Sequence, residues 1–166
     1  MPLRIFGDAT SGFSLHDDND VRIGWIDGRA LGFRCFADLD AAAAGARVAY
    51  TALVSWSARL GGTQPLPDIG ESELRLVNDG AYTWFASGQV PVARVLTPRA
   101  DVARDHGLHA IELILPRGVG PVAAIGGAQA IYSALVRELR GAVVHPAAPI
   151  GQEADDETYA DAPDVA

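Results

Sequence analysis

The residues best suited to bind a ligand are two arginines, Arg22 and Arg34, in the strands expected on either side of a turn at Gly28. Glycine tolerates the positive φ that such a turn requires, so this segment predicts a β-hairpin. Gly24 and Gly32 are expected beside the arginines on one face, where the lack of a side chain leaves room for a flat group. Arginines on an open sheet surface favour binding of single-stranded nucleic acid.

Aromatic side chains would supply the stacking surface for unpaired bases. Tyr82, Trp84 and Phe13 are the candidates, provided that they point away from the core. We therefore predict a nucleic-acid-binding site composed of Arg22, Arg34, Trp84 and Tyr82. The alternative is simpler: the arginines hydrate the solvent face, and the aromatic residues fill the core.

The length of the hairpin loop decides which side chains share a face of the sheet. A loop of two residues would place Trp25 with Gly32 and Arg34, whereas a loop of three residues places it with Leu31 and Phe33. Only the longer loop gives one wholly apolar face, so we predict the longer loop. In that register the two strand arginines lie directly opposite each other, an unfavourable pair unless an anion joins them.

No pattern in the sequence predicts catalysis, a metal site or a cofactor. The acidic run at residues 16–20 lacks the spacing of a calcium loop and is interpreted as a solvated turn. Cys35 is predicted to be a small core residue. An enzyme would require His106, His109 and Glu112 to converge in a pocket. We therefore predict a non-enzymatic protein with no catalytic residues, metal or cofactor.

The elements that position these residues are expected in the same order twice. Four predicted strands precede an alanine-rich helix that follows Asp38, and four more precede a helix that runs from Pro121 to Arg140. Within the helices, Ala49–Val54 matches Ile131–Val136 at an offset of 82 residues. We predict an α+β fold of two tandem ββββα repeats formed by internal duplication, with antiparallel sheets and one long helix in each repeat.

Composition sets the predicted boundaries. The first repeat covers residues 1–62, a linker 63–72, the second repeat 73–142 and an acidic tail, predicted to be disordered, 143–166. The last fourteen residues hold six acids and no base, whereas residues 1–150 hold 15 acids and 13 arginines. Because the body is nearly neutral, non-specific binding to duplex nucleic acid is not favoured.

Cysteine content and hydropathy bear on the location of the protein. A single cysteine in 166 residues excludes an internal disulfide and predicts a reducing, cytoplasmic setting. No apolar run approaches the roughly 20 residues of a membrane helix, so no membrane partner is expected.

The second repeat is predicted to be apolar on both faces of its sheet. Its outer face would carry Pro91, Ala93, Val95 and Ile114. A sheet that is apolar on both faces must be covered on both. An alternative function follows: a protein-interaction or assembly subunit that forms a homodimer through the second repeat, without nucleic acid.

Two consecutive units of four antiparallel strands and a helix resemble the arrangement of PUR-repeat and Whirly proteins. The resemblance is one of topology over roughly residues 3–140 and includes no family motif. Those families bind single-stranded nucleic acid on their sheets, so the resemblance implies such a function for this chain. It assigns no binding residue.

Overall fold

The computed structural model describes residues 3–60, 74–78, 83–87, 90–96 and 109–139. These ranges contain eight strands and two helices, so the chain is an α+β protein. The strands are β1 (Arg4–Asp8), β2 (Gly12–His16), β3 (Arg22–Asp27), β4 (Ala30–Phe36), β5 (Leu74–Asn78), β6 (Thr83–Ser87), β7 (Val90–Leu96) and β8 (His109–Ile114), and the helices are α1 (Leu39–Ser57) and α2 (Pro121–Glu138).

All eight strands belong to one antiparallel sheet, with the order β1-β2-β3-β4-β8-β7-β6-β5. The predicted arrangement was one sheet for each half, but the two groups of four join through β4 and β8. These two strands pair over Ala30 to Phe36 and Ile114 to His109. Without this pairing each would be an edge strand with unpaired backbone groups, and the joined sheet removes both edges.

Both helices pack on the same face of this sheet. The buried core holds residues of both helices together with apolar residues of the central strands, among them Ile23, Ile26, Leu31, Phe33, Ala93, Val95, Ile111 and Leu113. The other face of the sheet, called here the outer face, therefore carries the alternate residues of each strand.

Local sequence explains where the helices begin. Asp38 caps α1, because its carboxylate accepts a hydrogen bond of 2.8 Å from the backbone N–H of Ala41. Pro121 occupies the first turn of α2, where its missing N–H is not needed. The helices approach closely at Gly127, where a Cβ atom would lie 2.9 Å from the ring of Trp56.

The predicted three-residue hairpin loop is wrong. Trp25 pairs with Gly32 and Asp27 with Ala30, which leaves a loop of two residues that begins at Gly28. Gly28 does have the expected positive φ, at 59°. Because of this register, Trp25 lies on the outer face and not with Phe33 in the core.

A β-bulge explains how the core is completed in this shorter register. The pairing of β2 with β3 shifts between Leu15 and His16, so Ile23 is the extra residue on β3. Ile23 is fully buried and lies in the core with Ile26, although they are three positions apart, a spacing that puts residues of a regular strand on opposite faces. Gly24 also faces the core, since a Cβ there would approach Leu15 at 3.1 Å, and not the outer face as predicted.

The apolar outer face predicted for the second half is wrong at two of its residues. Ala93 and Val95 are buried in the core beneath the helices, paired with Leu113 and Ile111. Ile114 does lie on the outer face, whereas nothing is described of the side chain of residue 91. The outer face of β7 and β8 instead carries the charged residues that pair across these strands, Arg94 and Glu112.

Candidate functional site

One row of residues crosses the outer face from edge to edge. Strand pairing places in register, from β1 to β5, Phe6, Ser14, Trp25, Gly32, Glu112, Arg94, Trp84 and Val77. The pairing of the last two rests on the backbone, because their side chains are not described. From β1 to β4 two aromatic residues alternate with two small ones, and the charged pair Glu112 and Arg94 follows, along a line that no single sequence segment contains.

The centre of this row is a polar network around Glu112. Trp25 donates a hydrogen bond of 2.9 Å from Nε1 to Oε2 of Glu112, and Arg94 donates one of 2.7 Å from Nε to Oε1. Arg94 Nη2 also contacts Oε1, so the carboxylate has an arginine fork on one side and an indole on the other. Glu112 is only 8% exposed, and these donors compensate its buried charge.

Gly32 makes this network possible. A Cβ atom at Gly32 would overlap Cε2 and Cζ2 of Trp25 and lie 2.7 Å from its Nε1, so the indole lies directly over the glycine. Any larger residue would displace the ring and with it the donor to Glu112.

The outer face of β1 and β2 is open and combines aromatic with cationic groups. Phe6 is 44% exposed, and the guanidinium of Arg4 lies 5.6 Å from its ring centroid. The ring of His16 contacts Phe6 edge to face at 4.7 Å. The ring of His16 is held in place by Ser14, whose Oγ lies 2.8 Å from Nε2. The carboxylate Oδ1 of Asp20 lies 3.5 Å from Nη1 of Arg4 and 3.5 Å from Nδ1 of His16.

Arg22 repeats the arginine–aromatic contact two strands further in, on β3. Its guanidinium lies 6.0 Å from the ring of Trp25, within the range of a cation–π contact. Two arginine–aromatic pairs, Arg4 with Phe6 and Arg22 with Trp25, therefore lie on neighbouring parts of the same face. Strands are about 4.8 Å apart, so Phe6 and Trp25, two strands apart, are separated by about 10 Å.

Arg34 occupies the middle of the outer face. It is 5% exposed and pairs in register with Ala110, and Gly32 is the next residue of β4 on the same face. Ala110 packs with Leu96, and Trp25 lies against both. Arg34 is thus enclosed by small and apolar neighbours and is not spread on the surface.

The structure brings together two of the four predicted site residues. Arg22 and Arg34 both lie on the outer face, but the two-residue loop means that they are not directly opposite each other. Trp84 pairs with Arg94 along the backbone, and its side chain is not described. Tyr82 lies outside the described residues. Phe13, the third aromatic candidate, packs against the core on the helix side.

Sequence reasoning did not assign four contributors to this site: Phe6, Trp25, Arg94 and Glu112, the last of which it considered only for catalysis. Trp25 was assigned to the wrong face through the loop length. A signal for it existed, since a buried indole needs an acceptor and the apolar core predicted for it offered none. Arg94 and Glu112 are 18 residues apart, and only the pairing of β7 with β8 shows that they meet.

The residues considered for catalysis do not converge. His109 and Glu112 are three residues apart on β8, so they lie on opposite faces of the sheet, and His106 is outside the described residues. Burial lowers the pKa of His109, and the charge of Asp38 opposes this effect. Burial raises the pKa of the Cys35 thiol to about 12, which leaves it protonated and unreactive.

The acidic run at residues 16–20 is not simply a solvated turn. Asp17 is 2% exposed, and its carboxylate accepts hydrogen bonds from the backbone N–H groups of Asn19 and Val21 at 2.9 and 3.0 Å. It fixes the connection from β2 to β3. Within the described ranges, no three metal-ligating side chains cluster, and no helix combines the length and apolarity needed to cross a membrane.

Comparisons with protein-family models, curated proteins and solved structures gave no match to this chain. The resemblance to PUR-repeat and Whirly proteins therefore stays a prediction.

Proposed function

We propose that this is a non-enzymatic protein that binds single-stranded nucleic acid on the outer face of its sheet. The observation that carries the proposal is the pair of arginine–aromatic contacts, Arg4 with Phe6 and Arg22 with Trp25, on a face that neither described helix covers. Bases of a single strand stack on aromatic rings whatever their sequence, and arginines beside the rings bind the phosphates. Both groups are present here at neighbouring positions.

The position of Phe6 favours an extended strand as the ligand. A benzyl side chain that is 44% exposed contributes little to the core and is available to stack on a base. Phe6 and Trp25 are about 10 Å apart, so each ring has room for a separate base. A strand lying along the row would pass from Phe6 over Ser14 to Trp25.

The acidity of the whole chain does not oppose this proposal. Six of the 21 acids lie in the last fourteen residues, beyond the described sheet. On the outer face, Asp20 pairs with Arg4, and Glu112 with Arg94. Arg34 forms no ion pair with an acid in the described part of the chain, so the face retains positive charge for a phosphate.

We also propose that the two ββββα units arose by duplication. Tyr50 of α1 and Tyr132 of α2, which correspond at the offset of 82 residues, are both buried, at 3% and 1% exposure. Gly45 and Gly127 correspond in the same way, and each lies under an aromatic ring, of Phe36 and Trp56. Cys35, buried and free, supports a reducing compartment such as the cytoplasm.

Fluorescence anisotropy with a labelled oligothymidylate tests the proposal directly. Affinity should fall with salt, with a slope of log K against log salt of about −1.4 to −2.1, which corresponds to roughly two or three phosphate contacts. Absence of binding by the full chain at low salt would refute the function. Light scattering on the same sample then shows whether the chain is a homodimer, the result expected of an assembly subunit.

A further inference from the structure

Arg34 is a buried charge for which the described part of the chain provides no partner. It is 5% exposed, and its Nε atom is fully buried with no hydrogen-bond partner among the described residues. No ion pair or other hydrogen bond to its guanidinium is found within the same ranges. A guanidinium offers five N–H donors, and burying it unpaired is strongly unfavourable.

Arg94 provides an internal comparison on the same face. Its side chain is 12% exposed, close to the burial of Arg34, and it is paired with the carboxylate of Glu112. The fold therefore provides a counter-ion for one buried arginine of the outer face. The carboxylate of Glu112 is engaged by Arg94 and Trp25, and no hydrogen bond or ion pair joins it to Arg34 in the described part of the chain.

The immediate neighbours of Arg34 on the outer face offer no acceptor to its guanidinium. They are Gly32, over which the Trp25 indole lies, and Ala110, which has only a methyl group, so neither side chain competes with a ligand for its donors. Leu96 and Trp25 pack beside Ala110 and provide an apolar rim. In such a low-dielectric setting an ionic hydrogen bond is stronger than in water.

We propose that Arg34 is the centre of an anion site that holds one phosphate group on the outer face. A planar guanidinium binds two phosphate oxygens side by side, which satisfies its donors and its charge together. The inference rests on the proposed function in one respect: the phosphate is assigned to the backbone of a bound single strand. Free inorganic phosphate shares the same chemistry and serves as the simplest probe.

The first experiment measures the thermal unfolding of the full chain in sodium phosphate and in sodium chloride of equal ionic strength. At a phosphate concentration about ten times its Kd, the midpoint of wild type should rise by roughly 3–6 °C relative to chloride. Arg34→Met should remove this rise. Arg137→Met is the matched control, because Arg137 is 66% exposed on α2 and should leave the rise unchanged.

Phosphate also stabilises proteins by exclusion from their surface, so the quantity to compare is the difference between variants. Equal rises in wild type, Arg34→Met and Arg137→Met would refute the site. If Arg34→Met does not fold, Arg34→Lys takes its place in the comparison with wild type. Lysine keeps the charge but loses the planar fork, so the rise in unfolding midpoint should be smaller and should need a higher phosphate concentration. An unchanged rise in Arg34→Lys would refute bidentate binding by Arg34.

The second experiment separates this inference from the proposed function. Oligothymidylate affinity should fall about tenfold in Arg34→Met, because a phosphate contact in a buried setting is lost. Phosphate stabilisation that depends on Arg34, without oligonucleotide binding, would support the anion site and refute the nucleic-acid function. Oligonucleotide binding that is equal in wild type and Arg34→Met would support the function and refute this site.

Discussion

Gly32→Ala is the substitution to which the outer face should be most sensitive. The new Cβ would overlap two carbons of the Trp25 ring and lie 2.7 Å from its Nε1, whereas ordinary contacts begin near 3.4 Å, so the indole must move. That shift breaks its hydrogen bond of 2.9 Å to Glu112. Overpacking costs about 1–3 kcal/mol, and the lost bond to a charged acceptor about 1.5–3 kcal/mol.

Alanine is favoured over glycine in a strand by about 0.5–1 kcal/mol, which offsets part of the loss. We therefore expect Gly32→Ala to lower the free energy of unfolding by about 1.5–5.5 kcal/mol, the sum of these effects. Urea denaturation followed by far-ultraviolet circular dichroism measures this, since tryptophan fluorescence would itself change. Trp25→Phe is the comparison: it keeps an aromatic ring, but it removes the donor and part of the indole surface, and should lose at least about 1.5–3 kcal/mol.

A change smaller than about 0.5 kcal/mol in Gly32→Ala would contradict the position assigned to Trp25, because most neutral surface substitutions fall in that range. In the double variant that combines Gly32→Ala with Trp25→Phe, the smaller phenylalanine ring should tolerate the new methyl group better than the indole does. The combined loss of stability should therefore be smaller than the sum of the two single losses. Strict additivity would show that the two positions do not touch.

Three further predictions test other parts of the fold. Gly126→Ala should stabilise α2 by roughly 0.5–1 kcal/mol, because the new Cβ would meet Trp56 at an ordinary 3.5 Å. Gly127→Ala should instead destabilise the protein, because its new Cβ would lie only 2.9 Å from the same ring. Equal effects of the two substitutions on the urea midpoint would contradict the helix packing. The pKa of His109 is lowered in the native protein, so as pH falls the unfolded chain takes up the proton before the folded chain does, and stability should be lost as pH falls through 6.5. His109→Gln should flatten this part of the plot of unfolding free energy against pH. An unchanged plot would contradict the burial of His109. Cys35, with a pKa of about 12, should resist thiol reagents at a pH of about 8 in the native protein and react after denaturation; rapid native labelling would contradict its place in the core.

Much of the fold follows from local chemistry. Asp38 and Pro121 mark the starts of both helices. Ala42, Ala46 and Leu53, spaced by four and seven residues along one face of α1, are all buried. The order of four strands and a helix, twice, was also predictable from turns and periodicity. Non-local pairing was not: nothing near β4 or β8 in sequence indicates that they join two groups of strands into one sheet.

The candidate site shows the same limit more sharply. The alternation of side chains along β3 assigned Trp25 to the core, because that argument assumes an uninterrupted strand. The bulge at Ile23 breaks this assumption. With the bulge, Ile23 and Ile26 both reach the core, and the shorter loop becomes compatible with a wholly apolar face. Ala93 and Val95 were also predicted to face outward, where Arg94 and Leu96 are found.

The central claim is that the outer face, and not the helix face, binds single-stranded nucleic acid. Oligothymidylate anisotropy with two matched pairs of variants tests it most directly: Phe6→Ala and Arg4→Ala on the outer face, against Val122→Ala and Arg137→Ala on α2, where these side chains are 68% and 66% exposed. We predict that Phe6→Ala weakens binding by about tenfold and that Arg4→Ala reduces the salt slope by about 0.7, with both α2 variants unchanged. Equal or larger losses in the α2 variants would contradict the claim.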